Sequence, residues 1–362
     1  MPTQAARRSA RSALARLAGA DLDNDTFRLE AAAVLRKAIG FDWWCWTLLD
    51  PGTHLPTRYL GGDAVIDQAM RHFCQLTWNE NDGAAAGPAR GPRFRGSFAA
   101  LSTTTNGDLR RDTCWRELLG PAGTGDTFTA PLMADGNSWA LLHAARDSSS
   151  RWFSGDETAF LAELAPLLAG RLRDGLRTGV RDDGPSAPPG TIITDRDCNL
   201  VAATDQAWHW IAQLGLQPPN EDEPMPGFIY ALAASIAGTP GRPAARVRLQ
   251  TTDGRWMVVH VAAITHAAEG YAVTLEHARS GDITPLLMRA WSLTPREREV
   301  ARLALDGLSG EEIAARLYIS AHTARDHLKA IFGKLGIHRR RDLSAVLVGR
   351  LSATRPGHPG SS

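Results

Sequence analysis

The 362-residue sequence has few cysteines, and their spacing argues against a metal site or a disulfide framework. Cys45, Cys74, Cys114 and Cys198 stand far apart, without a CxxC pair or a His/Cys cluster of metal-ligand spacing. No apolar run approaches the roughly 18 to 20 residues of a membrane span. Residues 1–20 are rich in arginine and lack the apolar core of a signal peptide, so they predict a flexible or helical lead-in. We expect a cytoplasmic protein without membrane contact.

Catalytic motifs are also missing. The sequence contains no GxxxxGK phosphate loop, no HExxH zinc motif, no GxSxG nucleophile elbow and no glycine-rich dinucleotide turn. Asp42, Asp50 and Asp63 are scattered along the chain, so they do not predict the acidic cluster of a phosphoacceptor receiver domain. We therefore expect a protein that binds its partners without catalysing a reaction, and we expect no metal and no cofactor.

The C-terminal segment, residues 293–348, predicts short consecutive helices with clear boundaries. TPRE at 294–297 and SGEE at 309–312 are capping boxes, in which a hydroxyl caps the helix and a glutamate three residues later reaches back. Gly307 ends the first of these helices, because glycine readily takes the left-handed conformation. Ser320 caps a third helix after a very short turn. Two helices joined in this way form a helix-turn-helix, here at about 309–329, whose second helix usually enters the major groove.

The third helix of this segment has one apolar and one polar face. Its apolar positions recur at i, i+4, i+7 and i+11, as Ala324, Leu328, Ile331 and Leu335. Arg325, Asp326 and Lys329 are turned away from that stripe. Arginine can give a bidentate pair to guanine, and a carboxylate can accept from cytosine N4. The alternative is a merely solvated charged face, which the complete two-helix context makes the weaker interpretation.

This segment resembles the LuxR-type (NarL/FixJ-like) DNA-binding domain of bacterial transcription regulators. The matches spread over four elements and include Leu293, Thr294, Glu297, Val300, Leu303, Gly307, Ser309, Glu312, Ile313, Leu317, Ser320, Thr323, His327, Lys334 and Leu335. The resemblance implies that the third helix reads DNA and that the fourth, at about 340–348, helps the domain dimerise. The family's usual Asn-Lys before Glu312 is replaced by Gly310-Glu311, which puts a negative charge where a phosphate-facing positive charge is expected.

From these observations we assign two sets of residues. DNA contacts are assigned to Ser309, Ser320, Thr323, Arg325, Asp326, Lys329, Lys334, Arg339 and Arg340. Leu343, Val346 and Leu347 share one side of the fourth helix, at i, i+3 and i+4, and we assign them to a two-fold dimer contact. The alternative is that these three side chains close the core of the domain itself.

Charge is distributed unevenly along the chain. Residues 286–350 contain twelve Lys and Arg against seven Asp and Glu, a net charge of +5. Residues 1–285 contain twenty-seven against thirty-two, a net charge of −5. A basic module on an acidic body favours nucleic-acid contact by the C-terminal end.

A linker rich in proline and glycine, residues 179–190, divides the rest of the chain. Residues 21–178 predict a helix, a strand, a helix, a strand pair and a long closing helix, an order that resembles a GAF sensory domain. Residues 191–280 predict two short strands, helices and three alternating strands, the order of a PAS-like domain. The expected fold is multidomain: these two α+β sensory domains, then an all-α four-helix LuxR-type domain at 286–350, then a disordered tail at 351–362.

A run of aromatic residues, WWCW at 43–46, lies on the first predicted strand. Alternation places Trp44 and Trp46 on one face of the strand. One interpretation is a sensory ligand pocket lined by these two residues, since such pockets are apolar and rich in aromatics. The other is packing in a core or an interface.

The sequence thus predicts a transcription regulator that couples a signal or a small-molecule ligand to promoter binding, as a homodimer on double-stranded DNA. One alternative is a sensor whose helix-turn-helix is a protein-protein module, for example one that docks on RNA polymerase. Another is a ligand-binding protein that withholds DNA contact by burying the tail. Salt-dependent binding to duplex DNA separates the first interpretation from the second.

Overall fold

In a computed structural model, residues 4–61, 70–78, 98–177, 187–218, 225–239, 241–266 and 269–348 are described. They form two α+β domains followed by a helical tail. The predicted disordered tail at 351–362 and most of the predicted linker lie outside the described residues. Gly190, which the sequence places in the linker, instead begins the first strand of the second domain.

In its described residues, the first domain consists of five helices and a four-stranded antiparallel sheet. The helices are α1 (Gln4–Ala18), α2 (Asn24–Ile39), α3 (Met70–Trp78), α4 (Leu101–Thr104) and α5 (Gly155–Gly175). The strands are β1 (Trp43–Leu49), β2 (Pro56–Gly61), β3 (Thr124–Ala134) and β4 (Asn137–Asp147), in the order β2-β1-β4-β3. A 3-10 turn at Leu109–Arg111 and a π-helical turn at Trp115–Leu119 precede β3.

Both faces of this sheet are covered. The side of β1 that carries Trp46 joins the core formed with α2 and α5, while Leu49 joins the core on the opposite face. The lead-in predicted at the N-terminus is the helix α1, which packs on α2 and α5 and buries Ala10 and Leu14. A buried hydrophobic cluster therefore packs against each face of the sheet.

The second domain repeats the strand-pairing plan. Its strands are β5 (Gly190–Asp195), β6 (Leu200–Ala203), β7 (Ala244–Gln250), β8 (Trp256–Ile264) and β9 (Gly270–His277). Its helices are α6 (Asp205–Gln213) and α7 (Gly227–Ala237). The sheet is antiparallel, in the order β6-β5-β9-β8-β7. In both sheets the first strand lies between its hairpin partner and the last strand.

The two α+β domains share a hydrophobic core. Helix α3 of the first domain packs on α7 of the second, and Phe73 and Leu141 belong to the same buried cluster as Phe228 and Leu232. Arg58 of β2 also donates to the backbone carbonyl of Leu214, at 3.1 Å. The second domain is thus packed directly on the first.

The tail contains five helices: α8 (Ser280–Ala290), α9 (Pro295–Leu305), α10 (Gly310–Leu317), α11 (Ala321–Leu335) and α12 (Asp342–Val348). The hydroxyls of Thr294, Ser309 and Ser320 accept hydrogen bonds from the backbone three residues later, which confirms all three predicted helix starts. Gly307, with φ of 94°, takes the left-handed conformation after α9, as predicted. None of the described helices is long and apolar enough to cross a membrane.

Candidate nucleic-acid interface

Helix α11 buries one face and exposes the other. Ala324, Ile331 and Leu335 are buried in the core of the tail, and Leu328 is partly buried beside them. This confirms the predicted apolar stripe. The helix therefore lies on α9 and α10 in a fixed rotation, which determines the side chains it presents to solvent.

The outward face of α11 carries Arg325, Asp326 and Lys329, all exposed. The Nε of Arg325 donates to the carbonyl of Ala321 at 3.2 Å, and the Asp326 carboxylate lies 3.4 Å from the His322 ring. The two terminal NH2 groups of the guanidinium supply four further N–H donors in a planar fork, a geometry suited to a guanine edge. The structure thus brings these three predicted base-reading residues together on one accessible surface.

Two predicted contact residues, Ser309 and Ser320, act as helix caps, and a third, Thr323, bonds to one of them. The Ser309 hydroxyl accepts from the backbone N–H of Glu312 at 3.2 Å, while the Glu312 carboxylate accepts from the Ser309 N–H at 2.7 Å. Ser320 accepts from the Thr323 N–H at 3.0 Å, and the two hydroxyls lie 2.8 Å apart. Their first effect is to fix the starts of α10 and α11, and Thr323 holds its hydroxyl at the N-terminal end of the outward face.

Two residues that the sequence assigns to DNA contacts also bond within the protein. The Lys334 ammonium donates to the Glu297 carboxylate at 2.6 Å and to the Ser292 carbonyl at 3.0 Å. The Arg340 guanidinium donates to the carbonyl of Ala304, at 2.8 Å, and to that of Leu308. Both cations are used to hold α9 to its neighbours, whereas Arg339 is exposed as expected.

The predicted dimer surface is corrected in part. Leu343 and Leu347 are 1% and 0% exposed, because α12 packs on α8 and on the core of the tail. They therefore close the domain itself, which was the alternative interpretation. Val346 is partly buried and retains some accessible surface.

The predicted aromatic pocket is also corrected. Trp46 is fully buried, and its ring meets that of Phe27 edge-on with centroids 6.3 Å apart. Trp44 joins the same core from a partly buried position. The alternation was predicted correctly, but both side chains serve the packing of the sheet.

A cavity of about 840 Å³ lies between the two α+β domains instead, and neither Trp44 nor Trp46 lines it. Its walls come from α1, α2, β1, β2, α3, β4, α5, α7, β7, β8 and α8, together with adjoining loops. No sequence motif marked this site, since its residues are far apart in the chain. Within the described residues, no group of His, Cys, Asp or Glu side chains is arranged to hold a metal ion.

The tail is hydrogen-bonded to both α+β domains. The Ser292 hydroxyl, between α8 and α9, donates to the Asp135 carboxylate at 2.6 Å, and Arg173 of α5 bonds the same two groups. This ion pair and hydrogen bond lower the pKa of Asp135, the hydrogen bond from Ser292 being the larger cause. On α8, the Asp282 carbonyl accepts a hydrogen bond from the Arg248 guanidinium of β7 at 3.1 Å.

The comparisons with known proteins concern mainly this tail. Residues 291–347 match the family described as "Bacterial regulatory proteins, luxR family". Over 56 residues the chain is 48% identical to a Mycobacterium tuberculosis protein that is assigned by name to the HTH-type transcriptional regulators, a match that covers 15% of this chain and 6% of that protein. It is 39% identical over 82 residues to the probable HTH-type transcriptional regulator GfsR of Streptomyces halstedii, with 23% and 29% covered.

One solved structure, that of Escherichia coli SdiA, is similar over 95% of this chain and 99% of that chain, with 12% identity and a TM-score of 0.34. A superposition this loose assigns no fold to the α+β domains. The matches above span 6% and 29% of the two relatives, so they describe the tail and not the whole protein. Residues 291–347 form a LuxR-type helix-turn-helix domain.

Proposed function

We propose that the chain is a transcription regulator that binds specific duplex DNA through α11 and acts without catalysis. The observation that supports this most directly is the exposed set Arg325, Asp326 and Lys329 on a helix whose opposite face is fully packed. Such a helix presents base-reading groups to the major groove in one defined rotation. Arg339, exposed just beyond the helix, is placed to contact a backbone phosphate.

We further propose that the two α+β domains are sensory, GAF-like and PAS-like respectively, and that they pass a signal to the tail. Two observations support this proposal. Both sheets place the first strand between its hairpin partner and the last strand, as expected if the two domains share one architecture. The tail is also bonded to both domains, through Ser292 to the first and through α8 to the second.

Homodimerisation belongs to the same proposal. A two-fold dimer would place two recognition helices about one DNA turn apart, roughly 34 Å, on a palindromic site. Val346 is the remaining candidate on α12 for such a contact, because Leu343 and Leu347 are buried.

The test is selection of bound sequences from random duplex DNA, followed by titration of the best site at several salt concentrations. We expect a recovered consensus and a steep salt dependence, because phosphate neutralisation releases counterions. Arg325→Ala should weaken binding by about 1 to 3 kcal/mol and relax the preference at one base pair. Arg302→Ala, an exposed arginine of α9, is the matched control. The absence of any duplex binding would favour the protein-docking alternative. Unchanged selectivity in Arg325→Ala would contradict the proposal that α11 enters the major groove.

A further inference from the structure

The interdomain cavity has the size and composition of a small-molecule site. Its volume, about 840 Å³, falls within the roughly 300 to 1,000 Å³ of typical ligand pockets. Four aromatic side chains contribute to its walls: Tyr59, Trp139, Phe228 and Trp256. Leucines from both domains add apolar surface between them. A largely apolar molecule would therefore find complementary walls here.

The charged groups of the cavity favour a cation. Five aspartates and three arginines are among the described residues that line it. Three arginines outside the lining, Arg28, Arg173 and Arg177, also pair with Asp25 and Asp174. Asp21 and Asp23 form no ion pair in the described structure, and their negative charges attract a cation. Aromatic faces also attract cations through their quadrupoles.

The three arginines are already engaged within the protein. Arg58 pairs with Asp25 at 2.5 Å, and Arg248 pairs with Asp50 at 2.6 Å. Arg171 donates to the Leu22 carbonyl, and to the Asn24 side chain at 3.2 Å. An anionic ligand would have to displace one of these partners. Asp21, by contrast, is exposed and forms no ion pair in the described structure.

The cavity also touches the helix that leads to the DNA-binding domain. Leu286 of α8 lines the cavity, and the neighbouring Thr284 bonds the end of α12. The Arg248 guanidinium donates to the Asp282 carbonyl, also on α8, at 3.1 Å. A molecule in the cavity would thus contact α8, the tail helix that is bonded to α12.

We propose that this cavity binds an apolar organic cation, such as a hydrophobic amine, and that its occupancy shifts α8 and thereby changes DNA affinity. The second half rests on the function proposed above, whereas the first half does not.

Two probes that share one fluorophore test the charge preference: dansylcadaverine, which carries an ammonium group, and dansylglycine, which carries a carboxylate. Each is titrated against the full chain without DNA, and dansyl fluorescence reports binding. We expect dansylcadaverine to bind at least about tenfold more tightly, because Asp21 and Asp23 attract its ammonium group. Equal affinities, or tighter binding of dansylglycine, would overturn the proposal.

Two variants locate the site. Asp21→Arg should weaken dansylcadaverine binding about fivefold or more, because it replaces a carboxylate that forms no ion pair with a positive charge. Asp197→Arg, the same change at an exposed position outside the cavity, is its control. Ala20→Trp should weaken both probes by steric occupation, with Ala237→Trp as its control. Thermal unfolding curves establish that each variant is folded. Binding that neither cavity variant alters would place the probes elsewhere and overturn the assignment.

The effect of cavity occupancy on DNA affinity is then measured with the duplex selected above. Saturating dansylcadaverine should change the DNA affinity of the parent chain at least about threefold, and this effect should weaken in Ala20→Trp. An unchanged DNA affinity with full probe binding would overturn the transmission through α8. A chain that binds the probe but no duplex at all would instead refute the proposed function, while the cavity assignment would be supported.

Discussion

Asp50 and Arg248 form a buried two-point ion pair across the boundary between the α+β domains. The Arg248 Nη2 and Nε donate to the two carboxylate oxygens at 2.6 and 2.7 Å. The carboxylate side chain is 0% exposed and the arginine side chain 8% exposed. The backbone N–H groups of Gly52 and Arg248 also donate to Asp50, so both oxygens are fully used. This site joins the turn after β1 to the middle of β7.

Asp50→Asn should therefore destabilise the full chain by about 3 to 5 kcal/mol, because it leaves the Arg248 charge buried without its counterion. The measurement is the free energy of unfolding from denaturant titration. Glu299→Gln, which removes one partner of an exposed pair with Arg296, is the control and should cost less than about 1 kcal/mol. Equal effects of the two substitutions would show that the interdomain pair does not hold the domains together.

Arg339 and Arg340 are neighbours with opposite expected roles. Arg340→Ala removes donors to the carbonyls of Ala304 and Leu308, so we expect a loss of about 1 to 2 kcal/mol in the stability of the tail. Arg339→Ala leaves the fold intact and should weaken binding to all duplexes about equally, with the salt slope reduced by about 1. The paired readout is thermal unfolding and duplex titration. A stability loss in Arg339→Ala, or none in Arg340→Ala, would reverse the two assignments.

The sequence predicted those features that depend on local chemistry. Capping residues and turn glycines act within a few positions, so the starts of α9, α10 and α11 could be predicted from them. The apolar stripe of α11 follows from helical periodicity in the same way.

The contacts that the sequence did not reveal join residues that are distant in sequence. Lys334 bonds Glu297, 37 positions earlier, and Arg340 reaches Ala304, 36 positions earlier. A basic residue near a recognition helix looks the same in sequence whether it faces phosphate or a carbonyl. Strand β2 was missed because its short segment begins with Pro56 and has no clear alternation. The interdomain cavity draws its walls from residues 18 to 286, so no window of sequence could reveal it.

The negative charge of Glu311 is expected to weaken the binding of duplex DNA. It is exposed in the first turn of α10, at the position where the resemblance implies a phosphate-facing lysine. Glu311→Lys should tighten duplex binding, more at low salt than at high, and steepen the salt slope by about 1. Glu299→Lys, the same charge change at an exposed site on α9, serves as the control. If Glu311→Lys gained no more affinity than the control, Glu311 would lie away from the DNA backbone.

Glu157 makes the stability of the first domain depend on acidity. Burial opposes its charged form, but hydrogen bonds from Arg151, Arg146 and the Ser154 backbone outweigh that effect and lower its pKa to about 2. A carboxyl with a folded pKa below its unfolded value stabilises the protein fully above the unfolded value, near 4.5. That contribution is lost as the pH falls from about 4.5 towards 2.

We therefore expect the free energy of unfolding of the parent to drop between pH 6 and pH 3 by up to about 2 kcal/mol more than that of Glu157→Gln. At pH 6 the variant itself should be less stable, because Arg146 loses a buried partner. Glu30→Gln, at an exposed site on α2, should keep the parent's pH dependence. An unchanged pH dependence in Glu157→Gln would assign the acid sensitivity to other carboxyl groups.

Two adjacent residues of α12, Val346 and Leu347, allow the dimer contact and the core packing to be tested separately. Leu347 is fully buried, so Leu347→Glu places a charge in the core and should cost more than about 3 kcal/mol. Val346 is partly buried, and Val346→Glu should change stability much less. If α12 forms the two-fold contact, Val346→Glu should also lower the dimer fraction in sedimentation equilibrium and weaken binding to a palindromic site, because each half-site would then be bound separately. Ser344→Glu, exposed on the same helix, is the control. A Val346→Glu chain that remains dimeric with undiminished affinity would exclude α12 as the dimer surface.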